Sequence, residues 1–121
     1  MLDHIQITVK NVAASKRFYA SALAPLGLTV QYDQDPVVGI GSQEARIPAL
    51  WLNQGDAQGT AHVALAAPNR AAVDAFHRAA LSAGGRDNGA PGLRPDYHAT
   101  YYAAFVIDPD GNNLEAVCHR G

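Results

Sequence analysis

The chain has 121 residues, 48% of them hydrophobic and 17% charged, so it can bury one core but is too short for two ordinary domains. The formal net charge of −2 provides no basic surface for a polyanionic backbone, which argues against nucleic acid as a partner. No apolar run approaches the roughly 20 residues needed to cross a bilayer, and the lone cysteine, Cys118, predicts a cytoplasmic protein without an intrachain disulfide.

The chain repeats itself when it is shifted by 58 residues, without a gap. The matched pairs are His4 and His62, Asn11 and Asn69, Phe18 and Phe76, Ala22 and Ala80, Leu23 and Leu81, and Gly27 and Gly85. Identities at one constant offset indicate a duplicated unit. We therefore expect one domain over 1–121, built from two modules of about 1–57 and 58–121.

The first module begins with an alternating pattern in which Ile5, Ile7 and Val9 are separated by polar residues, which is typical of a strand with one buried face. Asn11 follows where a helix N-cap is needed, and an apolar stripe predicts a helix over 12–24. Further strands are predicted over 29–32, 37–41 and 47–52.

The second module has the same order: a strand over 61–67, an N-cap at Asn69 and a helix over 70–83. Strands are then predicted over 85–88, 100–107 and 113–119. The last two are joined by Asp108-Pro109-Asp110-Gly111, a typical turn sequence, because Pro presets φ and Gly accepts positive φ. Each module is thus predicted to be βαβββ.

Three side chains that could bind a metal fall on corresponding strand faces. His4 and His62 occupy equivalent places in the repeat, and Glu115 lies in the return strand of the last hairpin. If the modules form one curved, mixed eight-stranded sheet with helices on its outer face, these residues converge. Two imidazoles and a carboxylate form a facial triad that leaves metal positions open. Taken singly, each residue favours an ordinary polar surface position, whereas the three together favour a metal site.

The chain resembles the vicinal oxygen chelate superfamily, which includes glyoxalases, bleomycin-resistance proteins and extradiol dioxygenases. The resemblance rests on DHIQITV, NVAASKRFY, AHVALAAPN and the terminal DPDGNNLEAV, and it covers nearly the whole chain. It implies an α+β fold and ligand positions at His4, Trp51, His62 and Glu115. Glyoxalase I proteins carry Glu at the place of Trp51, and an indole does not bind such metals. The resemblance therefore implies a three-ligand centre for Fe, Mn, Zn or Ni.

Residues that could bind or transform a substrate concentrate in the proline-containing segment 89–102, because a long loop of this kind commonly overhangs a site. We expect Arg94 to hold a substrate anion and His98 or Tyr97 to transfer a proton. Further expected substrate contacts are Tyr102, Arg46 and Trp51. The Trp51 ring could stack on a planar substrate or fill the cavity floor. Alternatively, these tyrosines and arginines have no contact with a substrate and occupy ordinary positions on the surface or at the rim of the cleft.

Three functions are compatible with these features. The first is a metal-dependent enzyme acting on a small oxygen-rich substrate, with lyase, isomerase or dioxygenase chemistry. The second is a non-catalytic protein that sequesters a small molecule such as an antibiotic, and the third is a metal-dependent thiol transferase. The resemblance also implies a homodimer.

Overall fold

The computed structural model describes all residues from 1 to 121, and its elements follow the order βαβββ twice. The first module comprises β1 (Ile5–Val9), α1 (Val12–Leu23), a 3-10 turn (Ala24–Leu26), β2 (Leu28–Gln34), β3 (Val37–Ser42) and β4 (Leu50–Gln54). The second comprises β5 (His62–Ala66), α2 (Arg70–Ser82), β6 (Arg86–Leu93), β7 (Tyr102–Ile107) and β8 (Asn113–Cys118). The predicted α+β fold of two βαβββ modules is confirmed.

Both helices begin where their N-cap residues predict. The side-chain oxygen of Asn11 accepts a hydrogen bond of 3.0 Å from the Ala14 amide. Asn69 caps α2 in the same way, at 2.8 Å from the Ala72 amide. Each cap satisfies a backbone donor that has no partner within its helix.

Two strands differ by more than three residues in total from their predicted bounds, and the others differ by one to three. Strand β4 begins at Leu50 rather than 47, because residues 43–49 form a loop and Pro48 has no amide hydrogen to donate to a ladder. Strand β6 continues to Leu93, well beyond the predicted end at 88. It tolerates Pro91 because it is an edge strand whose register with β7 shifts around Gly89 and Gly92.

The eight strands are hydrogen-bonded as two mixed sheets of four, in the orders β1-β4-β3-β2 and β5-β8-β7-β6. In each sheet the first strand of the module is parallel to the last, and the remaining pairs are antiparallel. Strands β1 and β5 are edge strands that do not pair with each other within the chain. The continuous eight-stranded ladder expected from the sequence is therefore divided at this point.

The two modules share one core. Each helix packs on one face of its own sheet, α1 also contacts α2, and the buried apolar side chains form a contiguous cluster of 22 residues. Phe18 and Phe76, the matched phenylalanines of the repeat, are both fully buried in it. The opposite face of each sheet carries no helix, and we call these the helix-free faces. Neither helix has the length and apolarity required to cross a membrane.

A buried carboxylate connects the modules. Asp108, 3% exposed, accepts hydrogen bonds from the Tyr19 hydroxyl, from the Asp110 and Asn112 amides at 2.9 and 2.8 Å, and from Asn112 Nδ2 at 2.9 Å. Burial, reinforced by the Asp108 charge, raises the pKa of Tyr19 well above its usual value, so the phenol remains a donor. The β7–β8 turn of the second module is thereby fixed to α1 of the first.

Candidate functional site

The helix-free face of the second sheet carries a buried carboxylate bonded to an imidazole. Glu115 lies in the middle of β8 and is 1% exposed, and its Oε1 is 2.8 Å from Nε2 of His62, the first residue of β5. The two strands are adjacent and parallel, which brings the carboxylate and the ring together. His62 itself remains 55% exposed at its side chain. The pair is therefore open to solvent on the imidazole side only.

Tyr101 completes the hydrogen bonding of this carboxylate. Its hydroxyl donates to Glu115 Oε2, the oxygen that His62 does not contact. Burial and the Glu115 carboxylate raise the pKa of Tyr101 to about 12, so the phenol is protonated at neutral pH. Tyr101 thus holds one carboxylate oxygen and leaves the other directed at the imidazole.

The donors of this pair suit a divalent cation. Imidazole nitrogen and carboxylate oxygen are ligands for Fe, Mn, Zn and Ni. A buried carboxylate is unfavourable unless a positive group compensates it, and His62 is the only ion-pair partner of Glu115, with no Lys or Arg beside it. A bound cation would supply the missing positive charge.

His4 does not join this pair within the chain. It lies just before β1 in the first module, exposed, with Nδ1 2.6 Å from Asp3 Oδ1. No group of three His, Cys, Asp or Glu side chains in the chain is placed to hold a metal ion. One chain therefore brings together two of the three predicted ligands, His62 and Glu115.

Trp51 occupies the position in the first module that Glu115 occupies in the second. Trp51 is the Cα partner of Gln6, and Glu115 is the partner of Ala64, which matches Gln6 in the repeat. Their neighbours on the next strand differ in size: Gly39 beside Trp51 and Phe105 beside Glu115. The first module thus has an indole next to a glycine at the place where the second module has a carboxylate next to a phenyl ring.

Gly39 makes room for two aromatic rings. It is the Cα partner of Trp51 on one side and of Tyr32 on the other, and the two rings meet edge to face with centroids 5.4 Å apart. A Cβ at Gly39 would lie 2.8 Å from Pro48 Cγ and 2.9 Å from Trp51 Cζ3. The aromatic pair therefore depends on the absence of a side chain at Gly39.

Gly39→Ala is expected to destabilise the protein by about 1–3 kcal/mol, because the added methyl group requires the indole and Pro48 to move. Chemical denaturation measures the loss. Gly55→Ala is the matched control, since its nearest contact would be 3.1 Å from a Thr8 methyl group. Equal, small effects of both substitutions would contradict the tight fit at Gly39.

Three aromatic side chains contact the Tyr101 ring, and two of them come from the segment between β6 and β7. Tyr97 and His98 contact the Tyr101 ring edge to face, with centroids 4.9 and 5.3 Å away, and His119 lies at 5.2 Å. Arg94 lies against the Phe105 ring, 5.3 Å from its centroid, and donates to the carbonyls of Gly92 and Ala90, each at 2.8 Å. These bonds use two of its five N–H groups and leave others for an anion.

His98 and His119 form a hydrogen-bonded, stacked pair. His98 Nε2 is 2.7 Å from His119 Nδ1, and the Thr100 amide donates to His98 Nδ1 at 3.3 Å. Because His98 Nδ1 accepts, the proton of its neutral ring is on Nε2, which donates to His119. Both nitrogens of His98 are thus engaged, and His119 Nε2 is the nitrogen of the pair that has no protein partner.

Two further predicted substrate contacts are Tyr102 and Arg46, and the structure shows where each one lies. Tyr102 is the Cα partner of Cys118 on the helix-facing side of its sheet, and its hydroxyl donates to Asp74 on α2 at 2.6 Å. Strand parity explains this, because Tyr102 is three residues from Phe105, the strand partner of Glu115, and therefore faces the opposite side of the sheet. Arg46 lies exposed in the loop before β4, at φ 60°, and its contact with a substrate stays a prediction.

Sequence reasoning gave too little weight to Tyr101, Phe105 and His119. Phe105 is the direct strand neighbour of Glu115, and it could have been found from the register of the hairpin that the Asp-Pro-Asp-Gly turn fixes. Tyr101 precedes β7, so strand parity did not apply to it. His119 follows β8 and meets His98 only through the fold of the preceding loop.

Comparison with known proteins agrees with this architecture. The family model of the Glyoxalase/Bleomycin resistance protein/Dioxygenase superfamily matches residues 1–116. A glyoxalase/bleomycin resistance protein from Albidiferax ferrireducens is 27% identical, with a TM-score of 0.82 and 98% of each chain covered.

More distant structures share the fold. A lactoylglutathione lyase from Agrobacterium tumefaciens is 17% identical, with a TM-score of 0.72 over 98% of this chain and 92% of that one. No protein of curated function matches the sequence. Because the family model spans almost the whole sequence, the chain belongs to the Glyoxalase/Bleomycin resistance protein/Dioxygenase superfamily.

Proposed function

We propose that this protein is a cytoplasmic, metal-dependent enzyme whose active site forms between two copies of the chain. In each site, His62 and Glu115 of one copy and His4 of the other bind a divalent cation. The observation that carries the proposal is the buried Glu115 carboxylate, which is bonded to His62 but has no cationic side chain and no third ligand within its own chain. A second copy supplies what the single chain lacks.

The edges of both sheets support such a dimer. Strands β1 and β5 each have one edge without a strand partner, and their sequences, IQITV and HVALA, contain no Lys, Pro or acidic residue. Monomeric proteins usually protect edge strands with such residues or with bulges. Pairing β1 of one copy with β5 of the other in a two-fold dimer would satisfy both edges and create two equivalent sites. His4 precedes β1 and His62 begins β5, so a pairing in which the starts of these two strands meet brings the two histidines to one junction.

When bound, the cation would act as a Lewis acid toward a substrate that chelates it through two oxygens. The chain's own residues would prepare this site. Tyr101 orients Glu115, and Arg94 offers its remaining N–H groups to a substrate anion. The pair of His98 and His119 would transfer protons, and the free His119 Nε2 would be the atom that exchanges the proton. The exposed Tyr97 borders the same group of rings.

The reaction class that we propose is that of a lyase or isomerase, with ring-cleaving oxygenation as the variant that Fe(II) would permit. The lactoylglutathione lyase among the structural neighbours supports the first alternative by analogy of fold. Non-catalytic binding of a small molecule is the second candidate. It is favoured by Trp51, which stands where the repeat has a carboxylate.

Metal analysis of the purified protein tests the proposal. We expect about one metal ion per chain in the parent and at least a tenfold to hundredfold lower affinity in His62→Ala and Glu115→Gln. Gln keeps the shape of the Glu115 side chain and can still accept from Tyr101, so it isolates the charge. His77→Ala is the control, because His77 bonds Asp87 on the other side of the sheet. Unchanged metal binding in both site variants would contradict the proposal.

A further inference from the structure

We infer that Tyr101 is a positioning residue whose hydroxyl occupies one oxygen of Glu115, so that the carboxylate binds the cation through its other oxygen alone. The inference rests on the proposed function, because it concerns the same metal centre. It goes beyond that function by assigning the number of coordination positions that Glu115 takes. A carboxylate that binds through one oxygen leaves more of the coordination sphere to the substrate than a carboxylate that binds through both.

The two oxygens of Glu115 have different partners. Oε1 lies 2.8 Å from His62 Nε2, and Oε2 accepts the hydrogen bond from the Tyr101 hydroxyl. Glu115 is 1% exposed, so its carboxylate is closed to bulk water, whereas the His62 side chain is 55% exposed. A cation from solvent therefore reaches the carboxylate from the Oε1 side, where the imidazole lies.

The hydrogen bond between Tyr101 and Glu115 has one direction. A carboxylate only accepts, and a protonated phenol donates its single proton. Burial and the Glu115 carboxylate raise the pKa of Tyr101 to about 12, which keeps that proton in place at neutral pH. The Tyr101 hydroxyl donates to no other acceptor in the chain. Release of Oε2 would leave a partly buried donor unpaired, which is unfavourable, so Oε2 stays occupied while Oε1 binds the cation.

The Tyr101 ring is held in place from several sides. Tyr97, His98 and His119 contact it edge to face, with centroid distances of 4.9, 5.3 and 5.2 Å. The backbone is fixed as well: the Tyr101 amide donates to the His98 carbonyl at 3.2 Å, and the Tyr101 carbonyl accepts from the Arg94 amide at 2.7 Å. These contacts keep the hydroxyl directed at Glu115 Oε2, as is typical of residues that orient a metal ligand.

Infrared difference spectroscopy between the Zn²⁺-loaded and the metal-free protein tests the inference. The two C–O stretching bands of a carboxylate lie far apart when one oxygen binds a metal and close together when both do. Glu115→Gln identifies the bands of this residue. We expect the wide separation in the parent and the narrow separation in Tyr101→Phe, which keeps the ring but lacks the hydroxyl. The parent spectrum alone decides whether one oxygen binds, whether or not the variant folds.

Tyr102→Phe is the matched control for Tyr101→Phe. It removes a hydrogen bond of the same kind, from a phenol to the Asp74 carboxylate, on the helix-facing side of the sheet. We expect its spectrum to match that of the parent. A narrow separation in both variants would show that the loss of either hydroxyl loosens the site, and it would overturn the specific role of Tyr101.

The number of water molecules on bound Mn²⁺ is a second measurement. Broadening of the Mn²⁺ electron paramagnetic resonance lines in ¹⁷O-enriched water reports this number. We expect about one water molecule fewer in Tyr101→Phe than in the parent and in Tyr102→Phe, because the second oxygen of Glu115 takes its position. An equal number of waters in all three proteins would overturn the inference.

Metal analysis distinguishes a failure of this inference from a failure of the metal centre. Zn²⁺ that binds to both oxygens of Glu115 in the parent would overturn the role of Tyr101 and leave the metal centre standing. A spectrum of Tyr101→Phe that equals the parent spectrum would do the same. A parent that binds neither Zn²⁺ nor Mn²⁺ would overturn the metal centre and, with it, the role of Tyr101.

Discussion

An equimolar mixture of His4→Ala and His62→Ala chains is expected to recover metal binding that neither variant has alone. In a two-fold dimer, each site takes His4 from one copy and His62 with Glu115 from the other. A mixed dimer therefore has one site with both substitutions and one site with neither. After random reassortment, half of the dimers are mixed, so roughly a quarter of the parent's sites are intact. Metal analysis after mild denaturation, mixing and refolding measures this fraction.

The matched control combines two variants of the same half-site. A mixture of His62→Ala and Glu115→Ala chains leaves every site with one substitution, because both residues come from the same copy. We expect no recovery in that mixture. Recovery in neither mixture, with full metal content in the parent, would mean that all ligands come from one chain. Sedimentation of the parent as a monomer of 12.8 kDa would contradict the dimer itself.

The architecture was predictable because it depends on short-range sequence patterns. Ile5, Ile7 and Val9 alternate, and Ile7 and Val9 are buried as that alternation requires. Asn11 and Asn69 cap the helices that they were predicted to cap. These features depend on neighbours a few residues away, so a single sequence determines them.

The way in which the two modules join could not be predicted from such short-range patterns. The repeat implied two equivalent halves, and one continuous sheet was the simplest way to join them. The chain instead uses helix contacts and the Tyr19–Asp108 hydrogen bond, whose partners are 89 positions apart. Nothing in local periodicity distinguishes pairing of β1 and β5 within a chain from pairing between two chains. The position of His4 relative to Glu115 depends on that choice.

The residues of the candidate site that lie within strands were predictable from strand parity, and those outside the strands were not. His62 and Glu115 meet as their parity indicated. The same hairpin register that pairs Phe105 with Glu115 places Tyr102 on the helix-facing side, so its position was predictable from that register. Tyr101 and His119 depend on the path of the loop before β7, where side-chain hydrogen bonds rather than periodicity fix the chain.

Asp108→Ala is expected to lower the free energy of unfolding by about 3–5 kcal/mol. The substitution removes the acceptor of four hydrogen bonds and leaves the Tyr19 hydroxyl and the Asn112 groups as unsatisfied buried donors. It also removes the Tyr19 bond between α1 and the β7–β8 turn, which leaves the bonds of Ser15 and the Lys10 amide to Asp110 as the remaining polar connections there. Equilibrium denaturation with urea measures the change, and a lower midpoint with an unchanged slope would indicate lost stability rather than a changed unfolded state.

Tyr19→Phe separates the connection between the modules from the turn itself. It removes the hydroxyl that joins Asp108 to α1 but leaves the amides of the turn bonded, so we expect a smaller loss of about 1–2 kcal/mol. Its pH dependence should also differ. The raised pKa of Tyr19 means that the parent loses stability as pH rises above about 10, where the phenol of the unfolded chain ionises first. Tyr19→Phe should lack this component, because phenylalanine does not titrate. If the parent and Tyr19→Phe lost stability equally above that pH, the buried phenol would not be the group that couples the modules to pH.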